Sequence, residues 1–379
     1  MFGKFSRSDA SDVANLGRMW DENMASISRV NILVIGETGV GKSTLINAVF
    51  GADFAPTGTG RPVTEGVHQY QSADGTFALY DSQGFEIGAK DSPLDWLRGH
   101  FSGNRAADPA DIIHAAWYCV SAYSARMTDG QAAVIKELSS LGIPVILVMT
   151  QVPKVNGVVI SRALAFQQAL LDMRLPTADG QVHLTCALAD PERDEEQFGL
   201  QEVVEATSFR IPADQQTAFV AAQRVDLAAK NRKARTLTAA ASAAAAGIGA
   251  APLPLADAPA LAAIQLGLMV KISHIFGVSK QDTQKIAFGT GGITTLVGRQ
   301  LVAGLARLIP GAGNVLTAAV ASTLTGAVGE SWRAVCYKVA TGQVDLRSAA
   351  GIAEAATTFR DVFGTRVRLP NASKSGSSK

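Results

Sequence analysis

The sequence predicts a parallel α/β domain followed by an all-α domain rich in alanine and glycine. Three observations predict this. Gly36-Glu37-Thr38-Gly39-Val40-Gly41-Lys42-Ser43 matches G-x-x-x-x-G-K-[ST] between a strand-like and a helix-like run. From about Val30 to Ile211, short β-branched runs alternate with helical patterns. After Ile211-Pro212 charges thin out and alanine dominates. At 379 residues the chain is long enough for two domains.

The glycine-rich segment sits where a phosphate-binding loop requires it. Val30–Ile35 reads as a buried strand. Ser43–Phe50 opens a helix, with Gly51 where a left-handed cap would close it. Gly36, Gly39 and Gly41 let the backbone turn its N–H groups toward phosphate oxygens, and the helix N-terminus adds its dipole. Glu37, Thr38, Val40 and Thr44 complete the expected nucleotide contacts. Lys42 is placed for the β- and γ-phosphates and the Ser43 hydroxyl for Mg2+.

Further strands follow. Thr76–Asp81 runs into Asp81-Ser82-Gln83-Gly84, a D-x-x-G pattern in which Asp81 would hold Mg2+ and the Gly84 N–H would sense a γ-phosphate. Between the two motifs, Gly58–Glu65 reads as a flexible loop. Its Thr64 is the expected switch hydroxyl on Mg2+, with Thr57 and Thr59 as rivals. Ala115–Val120, Pro144–Thr150 and Gln181–Ala187 read as strands, and Gln131–Leu138 as an amphipathic helix. Cys186 and Ala187 would lie beneath the base.

This pattern resembles the Era-like branch of the translation-factor-related GTPases over roughly the first 210 residues. The resemblance rests on Gly36–Ser43, Thr64, Asp81–Gly84, the Thr150 region and Thr185–Ala187. It implies an α/β, Ras-like doubly wound P-loop GTPase domain, a GTP/GDP switch, and Thr150 and Gln151 at the base. Two departures stand out. The family reads guanine with [NT]-K-x-D, whereas this chain has Thr150-Gln151-Val152-Pro153, without the aspartate. A lost charged acceptor costs about 2–3 kcal/mol of base discrimination unless another group, such as the Gln151 amide, replaces it. Phe85 follows Gly84 where many small GTPases keep a water-orienting glutamine. Slow turnover follows, with a partner, a dimer or a cation supplying charge stabilisation. Gln83 and Glu86 read as solvated loop residues, and no catalytic residue is assigned.

Composition narrows the remainder. A net charge of +1 gives no basic field calling for nucleic acid. Three cysteines (Cys119, Cys186, Cys336) and five histidines show no metal-ligand spacing. Met1–Ser6 lacks a signal-like apolar core, so the catalytic part is expected in the cytoplasm. In the C-terminal half, Gln215–Arg235 reads as one helix ending in the basic cluster Arg224, Lys230, Arg232, Lys233 and Arg235. Uncharged runs at 236–256 and 308–329 are long enough for spans, yet small residues and prolines fill them. The composition leaves open a packed soluble bundle or membrane association through helical hairpins, with the basic cluster on anionic headgroups or on a solvated helix face.

This half also resembles the Ala/Gly-rich hydrophobic domain found after Era-like GTPases and in the YcjF type of inner-membrane protein. The matching stretches are Phe219–Asp226, Pro252–Ala258 and Leu308–Gly313, within about 215–341. That resemblance implies attachment to the cytoplasmic membrane. The expected organisation is a helical lead over 1–28, with Trp20 on the nucleotide domain, a GTPase domain over 29–212, a hydrophobic helical domain over 213–365, and a disordered tail over 366–379.

Overall fold

The β-branched runs pair into one mixed, seven-stranded sheet. The structure, a computed structural model, describes residues 7–51, 54, 61–64, 67–82, 112–189, 196–249, 258–288 and 318–367. Its strands are β1 (Val30–Ile35), β2 (Arg61–Thr64), β3 (Val67–Gln71), β4 (Phe77–Ser82), β5 (Ala115–Ser121), β6 (Val145–Thr150) and β9 (Val182–Leu184). A separate two-stranded hairpin holds β7 (Lys154–Val155) and β8 (Val158–Val159). The sheet order is β2-β3-β4-β1-β5-β6-β9. β4, β1, β5, β6 and β9 run parallel, while β2 and β3 add an antiparallel edge. β1, β5 and β6 are buried at every position, as a strand covered on both faces must be.

Both sheet faces carry helices, the doubly wound arrangement expected from the alternating pattern. On one face lie α2 (Lys42–Phe50), α5 (Leu200–Arg210) and α6 (Gln216–Ala222), around Phe50, Phe77, Trp117 and Phe219. Phe50 stacks on Trp117, whose indole N–H donates to the Thr207 hydroxyl of α5 at 2.8 Å. The other face packs α3 (Asp129–Ser140) and α4 (Ser161–Asp172). A capping box starts α3: Thr128 Oγ1 accepts from the Gln131 N–H, and Gln131 Oε1 accepts from the Thr128 N–H.

Several expectations change. Arg61–Thr64, read as part of a loop, forms the edge strand β2, where Pro62 costs little because an edge lacks a second partner. Gly51 closes α2 at φ 120°, ψ 147°, outside the left-handed helical cap geometry, with its N–H on the Asn47 carbonyl. The helix expected over Gln215–Arg235 is two helices, because Gln223 is fully buried and braces a turn. Its Oε1 accepts from the Asp226 N–H at 2.7 Å, and its Nε2 donates to the Asp226 carbonyl at 3.0 Å. The Arg224 N–H reaches the Val49 carbonyl of α2 at 2.8 Å, tying this turn to the nucleotide domain.

The chain divides into two units: residues 27–227, and residues 1–26 together with 228–379. In the second unit, α1 (Arg7–Ala25), α7 (Leu227–Gly249), α8 (Ala258–Phe276), α9 (Lys280–Phe288), α10 (Ala318–Ala340) and α11 (Ala349–Val367) are the described helices. α1 packs on α8 and α9, with Leu16 buried and Lys280 paired to Asp21 at 2.7 Å. The helix bearing Trp20 thus packs with C-terminal helices of its own unit. α11 runs to Val367, so Arg366 and Val367 of the stretch assigned to the tail are helical.

The abundant alanine suits helix formation, and small residues allow close approach. Gly329 of α10 shows how close. A side-chain carbon there would stand 2.5 Å from Thr238 of α7 and 2.9 Å from Leu268 of α8. Gly329→Val should therefore cost this unit about 1–3 kcal/mol, read as a lower urea midpoint of its unfolding. A polar node sits inside the helices: the Trp332 indole N–H and the Thr283 hydroxyl both donate to Ser273 Oγ at 2.9 Å.

The basic cluster disperses. Lys230 is buried and donates to the Ile275 carbonyl in the last turn of α8, a helix end that wants a cation. Arg224 belongs to the other unit, its guanidinium lying against Gly51. Arg232 and Arg235 are exposed. Among the described residues no helix is long and apolar enough to cross a membrane. The uncharged run at 308–329 enters α10, which continues through Glu330, Arg333 and Lys338. Of the stretches likened to the YcjF-type domain, Phe219–Asp226 is described and lies with the nucleotide unit. Residues 252–257 and 308–313 fall outside the described residues.

Candidate functional site

The candidate site forms where the parallel strands end. β1 delivers the chain into Gly36–Gly41, and α2 starts at Lys42 with Gly41 as a left-handed N-cap, φ 91°. Gly36 is required by proximity: a side-chain carbon there would lie 2.5 Å from the Cys119 carbonyl oxygen of β5. The loop is thereby laid across the sheet end, with Ser43 and Thr44 exposed on the first turn of α2.

Lys42 is buried and donates to the carbonyls of Gly36 at 2.8 Å and Glu37 at 2.9 Å, clamping the loop that surrounds it. Burial lowers its pKa, and Asp81 acts against that shift. Asp81 is the penultimate residue of β4, parallel to β1 and level with Val34. It is buried, and its Oδ1 has no hydrogen-bond partner among the described residues. Burial raises its carboxyl pKa to about 6, with Lys42 and His68 pulling the other way. An orphaned buried carboxylate oxygen is costly and is a natural ligand for a hard cation. Asp81 with the exposed Ser43 hydroxyl thus fits Mg2+, which binds oxygen donors and keeps several waters. Thr64 ends β2 opposite Val67, and its side chain lies outside the described residues, as do Thr57, Thr59, Gln83, Gly84, Phe85 and Glu86.

His68 was not expected here. It stands directly opposite Asp81 in the β3–β4 register, which puts both side chains on one face. Only the strand pairing reveals this. No spacing in the sequence would have.

The residues expected at the base lie at the ends of β6 and β9. The Val152 N–H donates to the Thr185 carbonyl at 3.0 Å, which joins the two loops. Thr150 is buried, its hydroxyl between the carbonyls of Val40 in the phosphate loop and Val120 in β5. Gln151 has a left-handed φ of 55°. Its Nε2 donates to the Gly39 carbonyl at 3.1 Å, and its Oε1 accepts from the Ser121 hydroxyl at 2.5 Å. Thr150 and Gln151 therefore hold the phosphate loop itself. Thr150→Val should weaken nucleotide binding about tenfold while Thr150→Ser retains it, checked by titration with a fluorescent nucleotide.

Where the family aspartate would stand, Pro153 opens the β7–β8 hairpin. Asn156 and Gly157 turn it with φ of 52° and 75°, the pairing a tight two-residue hairpin needs. The Lys154 ammonium lies 3.6 Å from the centroid of the Phe198 ring. Phe198 exchanges two backbone hydrogen bonds with Cys186, whose thiol donates to the Leu188 carbonyl. Ala187 follows, its carbonyl accepting from Gln197 Nε2 at 2.8 Å.

Residues 31–151 match the family model described as 50S ribosome-binding GTPase. A comparison with curated protein sequences found no match. Among solved structures, the translation elongation factor SelB from Methanococcus maripaludis, in complex with the GTP analogue GppNHp, is 16% identical with a TM-score of 0.30, covering 49% of this chain and 35% of that one. An Era variant from Aquifex aeolicus bound to GDP and AlF4− is 14% identical with a TM-score of 0.32, covering 49% of this chain and 58% of that one. This chain thus spans less than two thirds of either protein. The N-terminal unit has a P-loop GTPase fold, and its residues 31–151 are similar to the 50S ribosome-binding GTPase family.

Proposed function

We propose that this chain binds GTP and GDP with Mg2+ and hydrolyses GTP slowly, as a switch coupled to its C-terminal helices. The observation that carries this reading is the convergence of Lys42 and the orphaned Asp81 oxygen beside the glycine loop. Lys42 would move from the Gly36 and Glu37 carbonyls to the β- and γ-phosphates. The N–H groups of Glu37 to Thr44 would bind phosphate oxygens at the start of α2, with Gly84 sensing the γ-phosphate. Ser43, Thr64 and Asp81 would hold Mg2+, which when bound neutralises charge developing on the transferring phosphate. Thr150 and Gln151 keep the loop in shape, and Cys186 and Ala187 line the base.

Slow turnover rests on Phe85, which offers no polar group to orient water. An activating partner, a second copy of the chain or a further cation would supply the missing charge stabilisation. The helical unit would meet the cytoplasmic face of a membrane, or a partner protein, through exposed groups such as Arg232 and Arg235. Contact would be peripheral in the described helices.

The test is liposome co-sedimentation of the full chain with GDP and with a non-hydrolysable GTP analogue. Pelleting that changes with nucleotide supports the coupling, and equal, negligible pelleting in both states removes it. Phe85 and Pro153 also motivate a second reading, a scaffold that binds nucleotide without turning it over. Multiple-turnover phosphate release that disappears in Lys42→Ala would exclude it.

A further inference from the structure

The helix that begins at the phosphate loop ends against the segment that leads into α7. α2 has nine residues, about 13 Å of helix, which is too short to be stable by itself. Its stability comes from its buried face and from what meets its two ends. At the start, Lys42 clamps the loop that would take the phosphates. At the other end, the Asn47 carbonyl accepts from the Gly51 N–H at 2.9 Å and the Val49 carbonyl from the Arg224 N–H at 2.8 Å. The Arg224 guanidinium lies against Gly51, where a cation suits the negative end of a helix. The Phe50 ring meets Phe219 of α6 edge-on, with centroids 6.2 Å apart. Segment 216–226 is thus fixed to the last turn of α2 at two points, a ring and a backbone hydrogen bond.

Gln223 holds Arg224 in place for that bond. It is fully buried, and its amide bonds both backbone groups of Asp226 and donates to the Val220 carbonyl at 3.3 Å. α7 starts at Leu227, the residue after Asp226. Helix formation is cooperative, so a ligand that stabilises the first turn of a short helix also favours its last. We infer that α2 couples its two ends: phosphates bound at its start and the Gln223–Asp226 turn docked at its end stabilise the same helical state. Gln223 and Arg224 are then positioning residues of the phosphate loop, acting from the far end of the helix. The turn is where nucleotide occupancy is felt at the start of α7. This inference rests on the nucleotide-site reading above and supplies the link that its switch requires.

The experiment measures the coupling in both directions on the full chain with Mg2+. In titration with a fluorescent GTP analogue, Gln223→Ala should bind about fivefold more weakly than the parent chain, with unchanged circular dichroism. Parent-like binding in this variant would overturn the inference and leave nucleotide binding intact. Arg224→Pro removes the N–H, and the ψ of 152° at Gln223 is one that a residue before proline adopts. It should weaken binding by at least the same factor, whereas Arg224→Ala keeps the N–H and should bind more tightly than the proline variant. Equal losses in the two would overturn the role of the N–H. Linkage requires the reverse effect as well. The GTP analogue should slow hydrogen exchange over 223–226 at least about fivefold more than over α3, which packs on the other sheet face. Equal slowing in both would mean general stabilisation and would overturn the coupling. Absence of binding to the parent chain would instead overturn the nucleotide-site reading, and this inference with it.

Discussion

Lys42→Ala is expected to weaken triphosphate binding by roughly 100-fold or more, since charge-assisted contacts to two phosphates vanish together. The fold should survive. The ammonium is buried, and that burial opposes its charge, so its removal relieves a desolvation cost while freeing the carbonyls of Gly36 and Glu37. Equilibrium titration with a fluorescent GTP analogue, beside a thermal melt, separates the two effects. Binding should be lost with a melting temperature close to that of the parent chain. Retained binding would mean that nucleotide sits elsewhere.

Asp81→Asn should act in opposite directions on stability and on ligand binding. Burial pushes the carboxyl pKa up to about 6 in the folded chain, above the ordinary 3.8, so folding favours the protonated form. The sign follows from linkage. Well below pH 3.8 both states are protonated and the group costs nothing. Between 3.8 and about 6 the unfolded state ionises while the folded state holds its proton, so the penalty grows, and above about 6 it is complete. The uncharged amide should therefore stabilise the ligand-free protein at pH 7.5 by about 1–3 kcal/mol, with most of the gain lost by about pH 4. It should also abolish the extra stabilisation that Mg2+ and GTP give together. Urea unfolding at the two pH values, with and without Mg2+ and GTP, checks both parts.

The sequence alone reveals the parts of the fold whose signal is local. Val30–Ile35 and the runs ending at Asp81, Val120 and Thr150 are short and mostly apolar, and each is a strand within one or two residues of its reading. The phosphate loop is legible because glycines, lysine and serine at fixed spacing have few other uses. What escapes depends on distant partners. The antiparallel edge at Arg61–Thr64 needs β3 beside it, and the break before α7 needs Gln223 buried and Val49 within reach. His68 enters the site only through its register with Asp81. Lys230 reads as a surface cation until the end of α8 is seen to receive it.

Asn156-Gly157 between short Val-containing runs is a strong local hairpin signal, and it forms the turn of the β7–β8 hairpin after Pro153. The roles of Thr150 and Gln151 are a subtler case. Their positions follow from the motif, while their attachment to Val40 and Gly39 follows only from the geometry.

The most direct test of the central claim is calorimetric titration of the full chain with a non-hydrolysable GTP analogue, first with Mg2+ and then with EDTA. The structure predicts one site per chain, bound at least about tenfold more weakly without the metal, because Ser43 and Asp81 then face the phosphates with no cation between them. Heat of binding absent under both conditions would contradict the account.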